Sequence, residues 1–292
     1  MERIGKDREM ARILVTGGNI GNPVAEELAS WGFGVRVLTK TIKANPSWEK
    51  SKIEQIAVDM ASIPSMLPAF EGVDRFFSVT PFVENLAELG INTIEAARQA
   101  GVRRIVRSSF IGAGGTGIAL GRDHRAVEKA VEASGISYTI LRPNTFMQSY
   151  AMNAESIRRD SAFYMPQGTG RVSLVDVGDV ALLAAAVLTQ DGHEGRVYDV
   201  TGPEALSNYD VAAKLSGALQ KQIAYIDVTE KQAEESMLST GLPPWMVKSL
   251  LELFEFSKRG AAERVSSDFE QIVNRKPTSF ESFIHGNVRL FQ

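Results

Sequence analysis

Short apolar runs alternate with longer amphipathic stretches along the chain up to about residue 205. The first run, residues 13–15, is followed by a glycine-rich turn and then by a helix-like stretch with Pro23 near its start. Further strand-like runs lie at residues 35–38, 53–59, 76–80, 104–109, 138–141 and 196–200, and helix-like stretches at 86–100 and 123–134. This alternation predicts an α/β fold with a Rossmann-type, doubly wound parallel sheet, covered by helices on both faces.

Beyond residue 205 the pattern changes to helices with recognisable starts. Four pairs have the spacing of a capping box, namely Ser207 with Asp210, Thr229 with Gln232, Ser267 with Glu270 and Thr278 with Glu281. Residues 222–228 form a lone strand-like run among these helices. We therefore predict a nucleotide-binding domain over residues 10–205 and a smaller, mainly helical lobe over 206–292, with residues 151–170 contributing to that lobe. The polar residues 1–9 are expected to lie outside the fold, as an extension or because translation has an alternative start at Met10.

The turn after the first apolar run is the strongest candidate for ligand binding. It contains Gly17, Gly18 and Gly21, and it leads directly into a predicted helix. Glycines let the backbone approach a pyrophosphate closely, and the free N–H groups at a helix start attract the anion. The alternative is a tight strand-to-helix turn that binds nothing.

Composition and charge exclude several classes of function. The net charge of −3 argues against a nucleic-acid partner, and the absence of cysteine excludes disulfides, thiolate catalysis and thiolate metal sites. The longest strongly apolar run, residues 180–188, is too short to cross a bilayer, and no signal-peptide pattern precedes the first strand. No group of histidines and acidic residues has metal-ligand spacing, so we predict no metal site. We expect a cytoplasmic protein without a membrane partner.

Several motifs in order resemble those of the NmrA-like group of atypical short-chain dehydrogenases/reductases. They are the turn at 16–21, Asp59, the Val79-Thr80-Pro81 segment, Ser108-Ser109 and the LRPN segment at 141–144. The segment from Asp123 to Tyr138, with LRPNTFMQSY after it, is especially similar to NmrA-like quinone reductases. The resemblance runs from about residue 11 to about residue 286 and implies a nicotinamide cofactor.

The predicted cofactor site combines this resemblance with sheet topology. The resemblance implies that Asp59 and Met60 flank the adenine, although Asp59 could equally cap the next helix. Ligands of open parallel sheets gather at the carboxyl ends of the strands, where Thr80 and Ser108 lie. The full set of predicted cofactor residues is Thr16, Gly17, Gly18, Asn19, Ile20, Gly21, Thr39, Lys40, Lys43, Asp59, Met60, Val79, Thr80, Pro81, Ser108, Ser109, Pro143 and Asn144.

Lys40 and Lys43 bear on the choice of cofactor. In a dinucleotide fold an acidic residue after the second strand binds the ribose 2′-hydroxyl, whereas a cation accommodates a 2′-phosphate. Residues 39–46 contain no Asp or Glu. This favours NADP over NAD, with two solvated loop lysines as the alternative.

The chain departs from the family pattern in two places. The glycine turn is shorter between Thr16 and Gly21 than in most members. The Tyr-x-x-x-Lys pair of ordinary short-chain dehydrogenases is missing, because counting back from Glu128 places His124 at the Lys position and Leu120 at the Tyr position.

His124 is the candidate catalytic residue. It shares a predicted sheet-facing stripe with Val127 and Val131, at the predicted start of a helix. The helix dipole there disfavours the imidazolium, but a neutral imidazole can donate a hydrogen bond to a substrate oxygen. Catalysis, substrate binding and a structural role in the helix's first turn all remain open for it.

Aromatic and Met residues in two segments are expected to overhang the nicotinamide and to suit a planar apolar substrate. Most of these residues are expected to belong to the core. The residues predicted to contact substrate are Phe110, Phe146, Tyr150 and Trp245.

Without Tyr-x-x-x-Lys, the best substrates are electrophiles that need little proton donation, such as quinones, conjugated enones or iminium compounds. We predict an NADPH-dependent reductase of such small molecules, and a homodimer is possible. The alternative is a regulator of the NmrA type that senses NADP(H) without turnover.

Overall fold

The computed structural model describes residues 12–115 and 117–292. The predicted extension at residues 1–9 lies outside the described residues. Contacts within the chain divide it into two compact units. Of the described residues, unit 1 contains those up to Phe110, together with Asp123–Arg142 and Val180–Tyr198, and unit 2 contains Ile111–Arg122, Pro143–Asp179 and Asp199–Gln292. These junctions differ from the 205/206 boundary expected from the sequence, because each unit is assembled from three separate segments.

A seven-stranded sheet is the main element of the described chain. Its strands, in chain order, are β1 (Arg12–Thr16), β2 (Gly34–Thr39), β3 (Glu54–Ala57), β4 (Val73–Ser78), β5 (Arg104–Ser108), β6 (Ser137–Pro143) and β9 (Arg196–Val200). The spatial order is β3-β2-β1-β4-β5-β6-β9, and the pairings from β3 to β6 are parallel. The predicted α/β fold with a Rossmann-type sheet is confirmed.

The remaining short strands form two small pairs in unit 2. They are β7 (Ala162–Met165), β8 (Arg171–Val172), β10 (Leu206–Ser207) and β11 (Ala224–Asp227). β11 runs parallel to β7, so the strand predicted at residues 222–228 is shorter than expected and is not alone. This pairing joins residues 162–165 to residues 224–227 within unit 2.

Twelve α-helices are present in residues 12–115 and 117–292. They are α1 (Gly21–Ser30), α2 (Pro46–Lys50), α3 (Ile63–Met66), α4 (Leu86–Gln99), α5 (Ala119–Ala133), α6 (Ala154–Asp160), α7 (Val177–Thr189), α8 (Asn208–Leu219), α9 (Glu230–Ser239), α10 (Pro244–Lys258), α11 (Asp268–Val273) and α12 (Phe280–Gly286). Short 3₁₀ turns are found at Leu67–Phe70, Ile111–Gly114, Met147–Asn153 and Val288–Leu290.

The core of unit 1 lies around its central strands. Ile13, Leu14 and Val15 of β1 are fully buried, as are Phe76 and Phe77 of β4. Consecutive buried residues on a strand mean that both of its faces are covered there, which explains the apolar runs. The strand order reverses between β1 and β4, and ligands of open α/β sheets bind at such a switch point, outside the carboxyl ends of the strands.

Helix starts agree only in part with the predicted capping boxes. The boxes at Ser207 and Thr229 are both formed. Ser267 precedes α11 but its side chain caps nothing, and α12 is capped by Ser279 instead of Thr278. In the last case Ser279 occupies the position from which a hydroxyl reaches the free N–H of Ser282.

Helix α5 begins at Ala119, four residues before the predicted start at Asp123. His124 therefore lies in the second turn and not at the helix N-terminus. The helix-dipole argument for a neutral His124 was wrong, because the dipole effect is confined to the first turn.

Candidate functional site

The glycine turn in unit 1 is held tightly between β1 and α1. The N–H of Gly17 donates to the Leu38 carbonyl at 2.8 Å, and a Cβ built on Gly17 would lie 2.8 Å from that same oxygen. A Cβ on Gly21 would overlap the carbonyl oxygen of Thr16. Gly18 has φ +118°, but a Cβ there would meet no atom within 4 Å. The close approach of the turn to β2 thus requires Gly17, and the close approach of α1 to β1 requires Gly21, whereas Gly18 is required by its backbone conformation.

Free hydrogen-bond donors line this turn. Within the described part of the chain, the N–H groups of Asn19, Ile20 and Gly21 have no hydrogen-bond partner, and Ile20 provides no side-chain cap for α1. The N–H of Gly18 is used, because it donates to the Asn22 side chain at 3.0 Å. Such a group of unpaired N–H groups at a helix start is suited to a phosphate.

Thr16 adds a second observation at the same place. Its side chain is 3% exposed, and its hydroxyl has no hydrogen-bond partner among the described residues. A buried hydroxyl without a partner costs free energy, which a ligand's polar group would recover. The turn therefore combines free backbone donors with a buried hydroxyl that has no partner among the described residues.

The loop after β2 presents both predicted lysines to solvent. Lys40 and Lys43 are exposed, as expected for cations that are available to a ligand or simply solvated. The backbone of Lys43 is fixed by Gln55, which accepts from its N–H at 3.3 Å and donates to its carbonyl at 2.8 Å. The Thr39 hydroxyl donates to the Thr41 carbonyl.

Asp59 lies beyond the end of β3, which stops at Ala57 and not at Asp59 as predicted. Asp59 is exposed, and its carboxylate accepts from the N–H of Ala61 in a local turn. The next helix, α3, is capped by Ser62, so the alternative role of Asp59 as the cap was wrong. Met60 is half-buried, and its carbonyl accepts from Asn92.

The carboxyl ends of β4 and β5 bring two of the predicted polar side chains into the interior. Thr80 is 7% exposed, and the hydroxyl of Ser108 is buried without a hydrogen-bond partner among the described residues. The Ser109 hydroxyl donates to Glu128 at 2.7 Å, so it is already used. Val79 is buried and Pro81 is exposed.

Arg107 is a buried cation that the sequence analysis did not single out. It is one of the largest fully buried side chains and lies opposite Ser78 in the register of β4 and β5. Its guanidinium donates to the Ser78 hydroxyl at 3.1 Å and to the Thr80 hydroxyl at 2.5 Å, while Nε has no partner. Burial lowers the pKa of Arg107 to about 9, against an opposing effect of Glu128, so the group stays protonated at neutral pH.

His124 is buried on the face of α5 that it shares with Val127 and Val131, as predicted. Burial, and then the charge of Arg107, lower the pKa of His124 to about 3. The imidazole is therefore neutral at physiological pH, and its Nδ1 has no hydrogen-bond partner in residues 12–115 and 117–292. The ring of Phe110 lies 6.2 Å from the His124 ring, between centroids.

Glu128 anchors the neighbouring turn of α5. It is fully buried and accepts from Arg142 at 2.9 and 2.7 Å, from Ser109 at 2.7 Å and from Arg125 at 3.0 Å. Burial raises the pKa of Glu128, but these hydrogen bonds outweigh it and the net shift is downward. The network fixes α5, and with it His124, against β5 and β6.

Asn144 and Pro143 belong to unit 2, where both are buried. The Asn144 amide donates to Ser173 at 2.7 Å and to the Ala262 carbonyl at 2.8 Å, and its oxygen accepts from Thr145. The donors and the acceptor of its side chain are thus used within the unit. This favours a structural role for Asn144 over the predicted contact with the cofactor.

The predicted substrate residues of unit 2 differ in burial. Tyr150 is 4% exposed and donates to Asn208 at 2.6 Å, which is typical of a core tyrosine. Phe146 and Trp245 are half-buried and remain candidates for contact with a ligand. Met147, Phe163 and Phe256 are buried, in agreement with the expectation that most of the aromatic and Met residues form core.

Among the described residues, no three His, Asp or Glu side chains are placed to hold a metal ion. None of the helices in that part of the chain has the length and apolarity that a membrane span requires.

Comparisons with known proteins agree with this architecture. The model of the NmrA-like family matches residues 9–284, and the chain belongs to that family. An NAD(P)H azoreductase of Xenophilus azovorans is 32% identical over 96% of this chain and 99% of its own length. The structure of an NADPH-dependent quinone oxidoreductase of Escherichia coli, complexed with NADPH, has a TM-score of 0.84 and is 25% identical, over 96% of this chain and 100% of that one. A triphenylmethane reductase of Citrobacter sp. shares the fold with a TM-score of 0.85 at 23% identity, over 96% and 99% of the two chains.

Proposed function

We propose that this chain is an NADPH-dependent reductase of small planar electrophiles such as quinones, conjugated enones and iminium compounds. The observation that carries the proposal is the set of unpaired polar groups near the carboxyl ends of β1, β4 and β5 in unit 1. There the turn presents three unpaired N–H groups, and Thr16, Ser108 and His124 each present a buried polar atom without a partner among the described residues. The family relatives named as azoreductase and quinone oxidoreductase support a reductase.

The residues of unit 1 fit a dinucleotide. Asn19, Ile20 and Gly21 would hold the pyrophosphate, and Lys40 and Lys43 would lie near the 2′-phosphate that distinguishes NADPH from NADH. Thr80 and Ser108 would then lie near the nicotinamide. Bound NADPH supplies a hydride to an electrophilic centre of the substrate.

His124 would donate a hydrogen bond to the substrate atom that gains negative charge. Its low pKa keeps it neutral, so it acts as a hydrogen-bond donor and not as a strong acid. This limits the enzyme to substrates that need little help from a proton donor. Quinones and conjugated systems meet this condition, whereas simple ketones generate an alkoxide that requires a stronger acid.

The test begins with fluorescence titration of the protein with NADPH and NADH. NADPH oxidation is then followed with a panel of quinones, an azo dye, an enone and a simple ketone. We expect tighter binding of NADPH, turnover of the conjugated acceptors and no turnover of the ketone. Binding of NADPH without reduction of any acceptor would instead support a nucleotide sensor, and absence of binding would refute both functions.

A further inference from the structure

Arg107 is not explained by the hydrogen bonds that hold the fold together. A buried guanidinium has five N–H donors, and here it meets only two neutral hydroxyls, on Ser78 and Thr80. No carboxylate of the described residues forms an ion pair with it. A buried cation with such incomplete compensation is costly, and an apolar side chain of similar size is often equally stable or more so.

The nearby carboxylates already form ion pairs with other arginines. Two neighbouring arginines, Arg125 and Arg142, share the carboxylate of Glu128, and Arg125 also binds Glu132. With Arg107 the cluster holds three arginines and two glutamates. Because Arg107 is fully buried, its field is screened little by water or salt.

We propose that Arg107 is an electrostatic positioning residue that makes unit 1 bind the reduced, uncharged nicotinamide ring more tightly than the oxidised, cationic ring. This inference rests on the proposed function, which places the nicotinamide beside Thr80 and Ser108. Thr80 is hydrogen-bonded directly to Arg107, and Ser108 is the next residue of β5. A ring bound there would lie close to the buried charge, and the charge would oppose the positive ring that remains once a hydride has left.

The ratio of two dissociation constants isolates this effect. NADPH and NADP⁺ carry the same phosphates and ribose groups, so contributions from Lys40, Lys43 and the glycine turn cancel in the ratio. A unit charge about 10 Å away, in a medium of effective dielectric about 20, changes an affinity by roughly tenfold or somewhat more. We therefore expect the native protein to bind NADPH more tightly than NADP⁺.

The experiment measures both dissociation constants by calorimetry for the native protein and for Arg107→Met, Arg107→Gln and Arg107→Lys. The Met variant removes the charge, the Gln variant removes it but keeps an N–H donor for Thr80, and the Lys variant keeps the charge. Arg104→Met is the matched control, because Arg104 is on the same strand but is paired with Asp191 and Glu194. We expect the preference for NADPH to fall about tenfold in the Met and Gln variants and to persist in the Lys variant and the control.

Each other outcome has a defined meaning. An unchanged ratio in a folded Met or Gln variant overturns the proposal, as does an equal fall in the Lys variant or in Arg104→Met. If the Met variant fails to fold, the Gln variant alone decides. If the native protein binds neither form of the cofactor, the proposed function fails first, and this result is distinct from an unchanged ratio.

Discussion

The burial of His124 predicts a specific loss of stability in acid. Its pKa is about 3 in the folded protein, against an ordinary value of 6.5. In the unfolded chain His124 gains a proton as the pH falls through about 6.5, whereas in the folded protein it stays neutral down to about pH 3. Between these values the unfolded state binds more protons, so acidification stabilises the unfolded state.

The size of the effect follows from the pKa difference. Below the pKa of His124 in the unfolded chain, each pH unit lowers the free energy of unfolding by about 1.4 kcal/mol, until the pH approaches the pKa of His124 in the folded protein. At about pH 4.5, roughly two units below that value, His124 should lower the free energy of unfolding by about 2–3 kcal/mol relative to neutral pH. His124→Gln does not titrate and lacks this contribution.

Urea unfolding of the native protein and of His124→Gln, each at about pH 7.5 and about pH 4.5, measures the difference. Other groups, including the Glu128 carboxyl with its lowered pKa, contribute to both proteins and cancel when the two pH-dependent losses are compared. His285→Gln, which removes an exposed histidine, serves as the control. Equal losses in the native protein and in His124→Gln would refute the burial of a neutral imidazole.

Three further predictions concern the proposed reductase. His124→Ala should lower kcat with a good quinone about 100-fold with little change in NADPH affinity, and His124→Gln should retain more activity. If His124→Ala reduces the quinone as fast as the native protein in steady-state assays, the role of His124 is structural. In titrations, Lys40→Ala should weaken NADPH binding by about 1–2 kcal/mol and leave NADH binding unchanged. If the native protein binds NADPH and NADH with equal affinity, the proposed contact of Lys40 with the 2′-phosphate is wrong. Gly21→Ala should unfold the protein or lower its free energy of unfolding by more than about 4 kcal/mol, because the new Cβ would overlap the Thr16 carbonyl. Gly18→Ala should lower it by only about 1–3 kcal/mol, because the strain comes from the positive φ alone. Comparable denaturation midpoints for the two variants would contradict the close contact at Gly21.

The parallel sheet could be predicted because its central strands are largely buried and therefore contain continuous apolar runs. The predicted seventh strand at residues 196–200 has the observed bounds of β9. β4 was predicted three residues late, because Val73, Asp74 and Arg75 mix one apolar with two charged residues. Strand ends depend on pairing with neighbours, which local sequence does not reveal.

The start of α5 could not be predicted from its own sequence. The residues before Asp123 are rich in glycine and contain no obvious cap, so the charged DHR segment was interpreted as the first turn. In the structure the N–H of Ala119 donates to the side chain of Glu252, far away in sequence, at 2.7 Å. A long-range partner thus supplies the cap that the local sequence lacks.

Within the candidate site, sequence identified the glycine turn and His124 but missed Arg107. Its signal was present, since an arginine follows two apolar residues in a strand that was predicted to be buried. Arg104, in the same strand, forms ion pairs with Asp191 and Glu194, so an arginine in this strand does not by itself indicate a buried, unpaired charge. The structure shows that Arg107 is fully buried, and the strand register places it opposite Ser78.

The division of the chain into two interleaved units has a consequence for its synthesis. The chain passes from one unit to the other five times, after residues 110, 122, 142, 179 and 198. A ribosome that has released residues up to 110 has made β1 to β5 but not β6, which pairs with β5, and β7 must wait for β11. Unit 1 cannot complete its core before residue 198 has emerged, and unit 2 cannot do so before its C-terminal segment has emerged. Chaperones would therefore meet β5 as an open sheet edge until β6 has been made.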